Sequence, residues 1–160
     1  MTEIRPTLPQ DAADITRLAG AERLFNAEEV ACVAELLQDY LDKPDHNGYF
    51  FLTAESDGRV VGFACYGPTP LTHGTFDLYW ILVDRAAGRR GIGRALMARV
   101  ETEVRERKGR LLVLDTSGRE DYAGTRGFYE SLGYERTSVV PEFYGPGDDL
   151  VVYTRRFAGG

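Results

Sequence analysis

The chain has 160 residues, 43% hydrophobic and 28% charged, the size and composition of one globular domain able to bury a core. Its formal charge of −6 argues against nucleic acid as the main partner, which needs a cationic face. Its apolar runs all fall short of the roughly 20 residues that cross a bilayer. Residues 1–10 lack the apolar stretch of a signal peptide, and two cysteines without a spacing motif suit a reducing cytoplasm, the expected location.

An extended piece over residues 3–8 leads to Pro9-Gln10-Asp11, a helix-start signal, after which Ile15, Leu18 and Ala19 recur at helical spacing. A second helix follows Asn26 as cap, with Glu28 and Glu29 in its first turn. Val30, Val33, Ala34, Leu37 and Tyr40-Leu41 carry its 3.6-residue period, and it ends near Lys43-Pro44. Residues 49–55 and 59–66 read as strands joined by Ser56-Asp57-Gly58, a hairpin signal. Residues 76–83 form a third strand after the 68–74 loop. A helix over 92–108 places Ile92, Leu96, Val100 and Val104 on one stripe and stops at Gly109. Residues 111–114 read as a short, fully apolar buried strand, 123–132 as a helix ending at Gly133, and 134–140 and 150–157 as two final strands. They are joined through Gly145-Pro146-Gly147-Asp148.

The order β-α-α-β-β-β-α-β-α-β-β predicts an α/β (α+β) fold in one domain, residues 1–160. It has a mixed, mostly antiparallel sheet of about seven strands flanked by four helices. The helix between the strands at Phe76 and Leu111 implies a parallel crossover. Cys32, in a helical apolar pattern, and Cys65, in a strand, read as small core residues. His46 and His73 are isolated, so no metal site is expected.

Basic residues concentrate over 85–110, in Arg89, Arg90, Arg94, Arg99, Arg105, Arg107 and Lys108. Within that stretch Arg89-Arg90-Gly91-Ile92-Gly93-Arg94-Ala95 joins a strand's loop to a helix N-terminus, where unpaired N–H groups and the helix dipole favour an anion. Glycine lets a phosphate approach the backbone and permits positive φ. A P-loop is excluded, because Gly93 is followed by Arg94-Ala95 rather than Lys-Ser/Thr. A dinucleotide site would use Asp115 for a ribose hydroxyl, but Leu96 occupies its third glycine position. The rival to an anion site at this turn is a tight loop with Gly as helix entry and solvated arginines.

The segment from Ile81-Leu82-Val83-Asp84 through Arg89-Arg90-Gly91-Ile92-Gly93-Arg94-Ala95-Leu96 resembles the acetyl-CoA motif of the GNAT acyltransferases. Phe128-Tyr129-Glu130-Ser131-Leu132-Gly133-Tyr134 resembles the superfamily's second hallmark, a helix ending in Gly-aromatic. The element order matches too, so the likeness covers nearly the whole chain. Leu114-Asp115, Phe143-Tyr144 and Asp148-Asp149 resemble the ribosomal-protein N-terminal acetyltransferase branch. The chain departs from the pattern at Gly88, where Gln or Arg is usual, at Arg85, where Pro is usual, and at Tyr122, where many relatives carry Asn.

The resemblance implies an N-acetyltransferase that moves an acetyl group from acetyl-CoA, as cosubstrate, to a primary amine in a sequential ternary complex. The acceptor would be a small amine, an amino acid or a peptide N-terminus. Backbone groups of Ile81, Leu82 and Val83 would hold the pantetheine arm, and Arg89 to Ala95 the pyrophosphate, with Tyr122 and Thr125 nearby. Tyr129 would be the general acid. For the base, Asp115, Asp77 and a water chain stay open, with His73 more plausibly a loop residue. Glu142, Asp148 and Asp149 would attract a cationic acceptor, whereas Arg119 or Arg126 would meet a carboxylate. Neither cysteine lies in these motifs, which disfavours a covalent route. A non-catalytic CoA-binding or sensory module is the alternative, and the protein is expected to be a monomer or homodimer.

Overall fold

Capping and alternation decide the elements locally. Asn26 accepts a hydrogen bond from the Glu29 N–H (2.8 Å), and the Glu29 carboxylate accepts from the Asn26 N–H (3.2 Å), a reciprocal cap. Asp57 and Gly58 both take positive φ (52° and 77°), the conformation a two-residue hairpin turn requires. The computed structural model describes residues 1–44, 48–87 and 90–158; Arg89, Gly88 and His46 lie outside the described residues.

The elements in chain order are β1 (Thr2–Pro6), α1 (Ala12–Ala21), α2 (Ala27–Asp42), β2 (Phe50–Ser56), β3 (Arg59–Pro68) and β4 (Thr75–Val83). There follow α3 (Ile92–Glu106), β5 (Leu111–Ser117), α4 (Ala123–Ser131), β6 (Glu135–Gly145) and β7 (Asp148–Arg156), with single turns of 3-10 helix at Pro9–Asp11, Arg85–Ala87 and Glu120–Tyr122. Hydrogen bonding orders the sheet β1-β2-β3-β4-β5-β7-β6. β1–β2, β2–β3, β5–β7 and β6–β7 pair antiparallel and β4–β5 in parallel, so the mixed seven-stranded sheet with four helices is present.

Three expectations need correction. β5 does not stop at Leu114: Asp115, Thr116 and Ser117 pair with Val152, Val151 and Leu150, and the ladder carries the strand past its apolar run. Leu111 and Val113 are also only half-buried. β6 reaches Gly145 through a register shift after Val140, which puts Phe143 and Tyr144 inside the strand. Cys32 is exposed on α2, whereas Cys65 is buried in β3 as expected.

The chain forms two compact units, Met1–Gly67 with Trp80–Thr102, and Pro68–Tyr79 with Glu103–Gly160. In the first, Tyr40 of α2 packs on Phe51 (5.6 Å between centroids), which stacks on Phe63 (6.4 Å). A Cβ on Gly62, the neighbour on the opposite face of β3, would meet Leu96 of α3 (3.4 Å). Side chains alternate along a strand, so α2 and α3 cover opposite faces. Near the β1 end Asp11, 2% exposed, accepts hydrogen bonds from Arg5 Nη1 (2.7 Å) and Nη2 (3.0 Å), the Leu8 N–H (2.8 Å) and Thr53 Oγ1 (3.2 Å). In the second unit Leu112, Leu114, Val151 and Tyr153 are buried on one face of β5 and β7.

Burial alone would raise the Asp11 pKa, but the hydrogen bonds, led by Arg5, outweigh it and hold the carboxyl below its ordinary value. A depressed folded pKa stabilises fully above the unfolded pKa, and that contribution is lost as pH falls through the folded value. Asp11→Asn should lower urea-unfolding stability at pH 7 by about 3 kcal/mol, because Arg5 loses a buried partner. The difference from wild type should shrink in acid.

Candidate active site

The candidate residues fall into two groups, one in each unit. In the first unit, Ile81 and Val83 are half-buried and Leu82 buried at the end of β4. Gly62 makes their approach to β3 possible: a Cβ there would lie 2.8 Å from the Leu82 carbonyl oxygen. The Asp84 N–H then donates to the Val61 carbonyl (2.7 Å), and the Asp84 carboxylate accepts the Ala86 N–H (3.0 Å), turning the chain into the 3-10 turn.

Arg90 Nε donates to the Ala87 carbonyl (2.8 Å). Gly91 follows at φ 73°, exposed, with nothing within 4 Å of where a Cβ would stand. The Ala95 N–H donates to the Gly91 carbonyl (3.0 Å), the first bond of the α3 ladder. The N–H groups of Ile92, Gly93 and Arg94 precede that ladder and have no helical partner. No acidic residue occupies the first turn of α3, and Arg94 is exposed there, so the local field favours an anion. Arg99, further along the helix, has a structural bond to the Ile4 carbonyl (2.9 Å).

In the second unit, β4 and β5 pair from Thr75↔Leu111 to Leu78↔Leu114. Phe76, Leu78, Leu112 and Leu114 take the buried face, so Asp77, Val113 and Asp115 take the other. Asp115 presents surface to solvent, yet the atoms around it strip part of its water. That desolvation, and then the negative charge of Asp77, push its pKa up. Asp77 accepts a hydrogen bond from Thr69 Oγ1 (2.7 Å). The two carboxylates read in the sequence as alternative bases therefore share a face and act on one another.

Tyr129 belongs to the opposite face. It is 6% exposed on α4, its ring centroid 6.1 Å from that of Tyr153 and 6.2 Å from that of Tyr134. Tyr153 pairs with Leu114, the neighbour of Asp115 on β5. Burial pushes the Tyr129 phenol well above its ordinary pKa. No hydrogen bond to its hydroxyl is present among the described residues. Tyr122 ends the 3-10 turn before α4, and Thr125 is half-buried in that helix's first turn.

The charged candidates are engaged within the protein. Arg126 Nη1 donates to the Ser117 (2.8 Å) and Arg119 (2.7 Å) carbonyls. Arg119 pairs with Asp121 (2.6 Å) and reaches Asp148 at 4.0 Å. Asp149 accepts the Glu142 N–H (2.9 Å), and Glu142, at φ 54°, accepts the Gly147 N–H (2.9 Å). His73 is an exposed loop residue whose carbonyl accepts from Arg110 Nε (2.8 Å). Sequence reading missed Thr69 and Ser117; neither carries a motif, and only the folded chain brings each to its acid. Among the described residues no group of three or more His, Cys, Asp or Glu side chains forms a metal set, and no helix is long and apolar enough to cross a membrane.

Comparison with known proteins shows the family. The acetyltransferase (GNAT) family matches residues 15–134. A protein from Desulfovibrio desulfuricans assigned to the GNAT family is 42% identical, with a TM-score of 0.94 over 98% of this chain and 99% of that one. The ribosomal-protein-S18-alanine N-acetyltransferase of Escherichia coli shares the fold at 19% identity, with a TM-score of 0.79 over 100% of this chain and 96% of that one. YncA of Salmonella typhimurium, solved with its cofactor acetyl-CoA, does so at 21% identity, with a TM-score of 0.77 over 99% and 95%. No curated protein sequence matches significantly. With the family match covering three quarters of its length, the chain belongs to the GNAT acetyltransferase family.

Proposed function

We propose that this acetyltransferase moves an acetyl group from acetyl-CoA to a primary amine while both substrates are bound. The observation that carries the reading is the start of α3, where Gly91 at φ 73° leads into a first turn without acidic residues, suited to a phosphate. Acyl transfer also needs a base for the attacking amine and an acid for the departing thiolate, both acting at one carbonyl carbon, and Asp115 and Tyr129 are the candidates.

The unpaired N–H groups of Ile92, Gly93 and Arg94 suit the pyrophosphate, with Arg90 and Arg94 adding charge. The backbone of Ile81, Leu82 and Val83 holds the pantetheine arm, and one N–H there polarises the thioester carbonyl. Cys65 is buried with its thiol pushed up by desolvation, and then by the charge of Cys32, which makes it a poor nucleophile.

In the reaction the carboxylate of Asp115 takes a proton from the acceptor ammonium, directly or through a water. The nitrogen lone pair forms the N–C bond, the C–S bond breaks, and the phenol of Tyr129 gives its proton to sulfur before being restored from solvent. Burial helps the base, because a raised Asp115 pKa makes a stronger base than an ordinary aspartate. It keeps the Tyr129 phenol protonated while weakening it as an acid. Arg119 and Arg126 already have protein partners, which favours an amine without a carboxylate over a free amino acid.

Four outcomes follow from these roles. Tyr129→Phe should cut kcat by about a hundredfold and leave acetyl-CoA affinity within twofold, measured by thiol release and calorimetry. Asp115→Asn should remove the acidic limb of the pH–rate profile. Asp77→Asn should move that limb to lower pH, because it takes away a negative charge that raises the base; a limb that moves upward contradicts the pairing. Gly91→Val should weaken acetyl-CoA binding about tenfold, since a β-branched residue at positive φ is strained.

A further inference from the structure

We propose that Arg126 is a positioning residue for acetyl transfer, locking α4 to the end of β5 and so holding Tyr129 in place relative to Asp115. The proposal rests on the reading of those two residues as acid and base. Its own evidence is a set of contacts inside the second unit. Arg126 lies in the first turn of α4, half-buried, and its guanidinium turns back along the chain instead of outward. One nitrogen, Nη1, bridges the Ser117 carbonyl (2.8 Å), the last residue of β5, and the Arg119 carbonyl (2.7 Å) in the loop that follows.

The anchor it grips is itself fixed. Ser117 is buried; its hydroxyl donates to Asp148 of β7 and accepts the Arg119 N–H (3.0 Å). The Gly118 N–H donates to the Asp149 carbonyl (2.9 Å). The end of β5 is thus tied to β7 by side chain and backbone, and α4 is tied to it by Arg126.

Asp115 stands two residues before Ser117 on β5, and Tyr129 stands three residues after Arg126, about one helical turn along α4. The chain from base to acid therefore passes through this bracket. Ring packing against Tyr134 and Tyr153 sets the side of the sheet for Tyr129, but apolar contacts allow sliding along the helix axis; hydrogen bonds to two carbonyls do not. A proton donor displaced by an ångström from the leaving sulfur loses on the order of a hundredfold in rate. A guanidinium suits the task because it keeps its charge and its Nη1 directs two N–H groups in a fixed plane, whereas an ammonium ends on a shorter stem and holds no fixed plane.

The test compares Arg126→Met and Arg126→Lys with wild type in the full chain, with folding checked by circular dichroism. The expected result for Arg126→Met is a kcat lower by about ten- to a hundredfold, with KM for acetyl-CoA and for the amine within twofold. Arg126→Lys should recover part of the loss. In protein labelled with 13C-tyrosine, the Tyr129 signal, assigned by its absence in Tyr129→Phe, should move in Arg126→Met and return toward wild type in Arg126→Lys. A kcat within twofold of wild type overturns the proposal. So does a loss confined to the amine KM, which would make Arg126 an acceptor contact. If wild type shows no turnover, the acetyl-transfer reading fails, and an unmoved Tyr129 signal then removes the positioning role as well.

Discussion

The parallel ladder between β4 and β5 fixes where every side chain on those strands points. Its register, Thr75↔Leu111 to Leu78↔Leu114, sends four large apolar residues to the buried face and leaves Asp77 and Asp115 on the other. A slip of β5 by one residue would bury Asp115 and expose Leu112 and Leu114, a change the hydrophobic effect forbids at about 2 kcal/mol per leucine before any charge is counted. The packing that gives the second unit its core therefore also places the two acids side by side. Tyr129 is set by the same rule from the other side, through Tyr153 and its pairing with Leu114.

Desolvation is the common electrostatic theme, and it acts on acid and base in the same direction. It raises Asp115 with help from Asp77, and it raises Tyr129 unaided. At Asp11 the same desolvation is overcome by Arg5, the Leu8 N–H and Thr53, and the net shift reverses. A buried carboxylate with donors on all sides is a structural anchor. One with a second carboxylate for a neighbour holds its proton longer and is suited to exchange it.

Much of this was legible in the sequence because local signals agreed with the final packing. Asn26 with Glu29 marked a helix start, Asp57-Gly58 a hairpin, and the 92–104 stripe a buried helix face; the element order and parallel crossover followed. Failures came where a partner strand overrode the local pattern. Apolarity ends at Leu114, but β7 supplies hydrogen bonds through Ser117, so β5 continues and Asp115 lies within the strand. Similarly, β6 runs on past Val140 across a bulge at Glu142, whose positive φ is held by Asp149 and Gly147. Helical period assigned Cys32 to the core, but the buried stripe of α2 is Val33, Leu37 and Tyr40, and Cys32 falls beside it. The commitments of Arg119 and Arg126 were invisible, because no sequence rule shows which arginines will find backbone carbonyls.

Initial-velocity kinetics test the central claim most directly: thiol release from acetyl-CoA at varied concentrations of a primary amine, with the amine drawn from a panel of polyamines, amino acids and short peptides. Direct transfer between two bound substrates predicts amine-dependent release and double-reciprocal lines that intersect. Parallel lines together with an acetylated protein would place the acetyl group on the enzyme between two half-reactions, and would contradict the roles given to Asp115 and Tyr129.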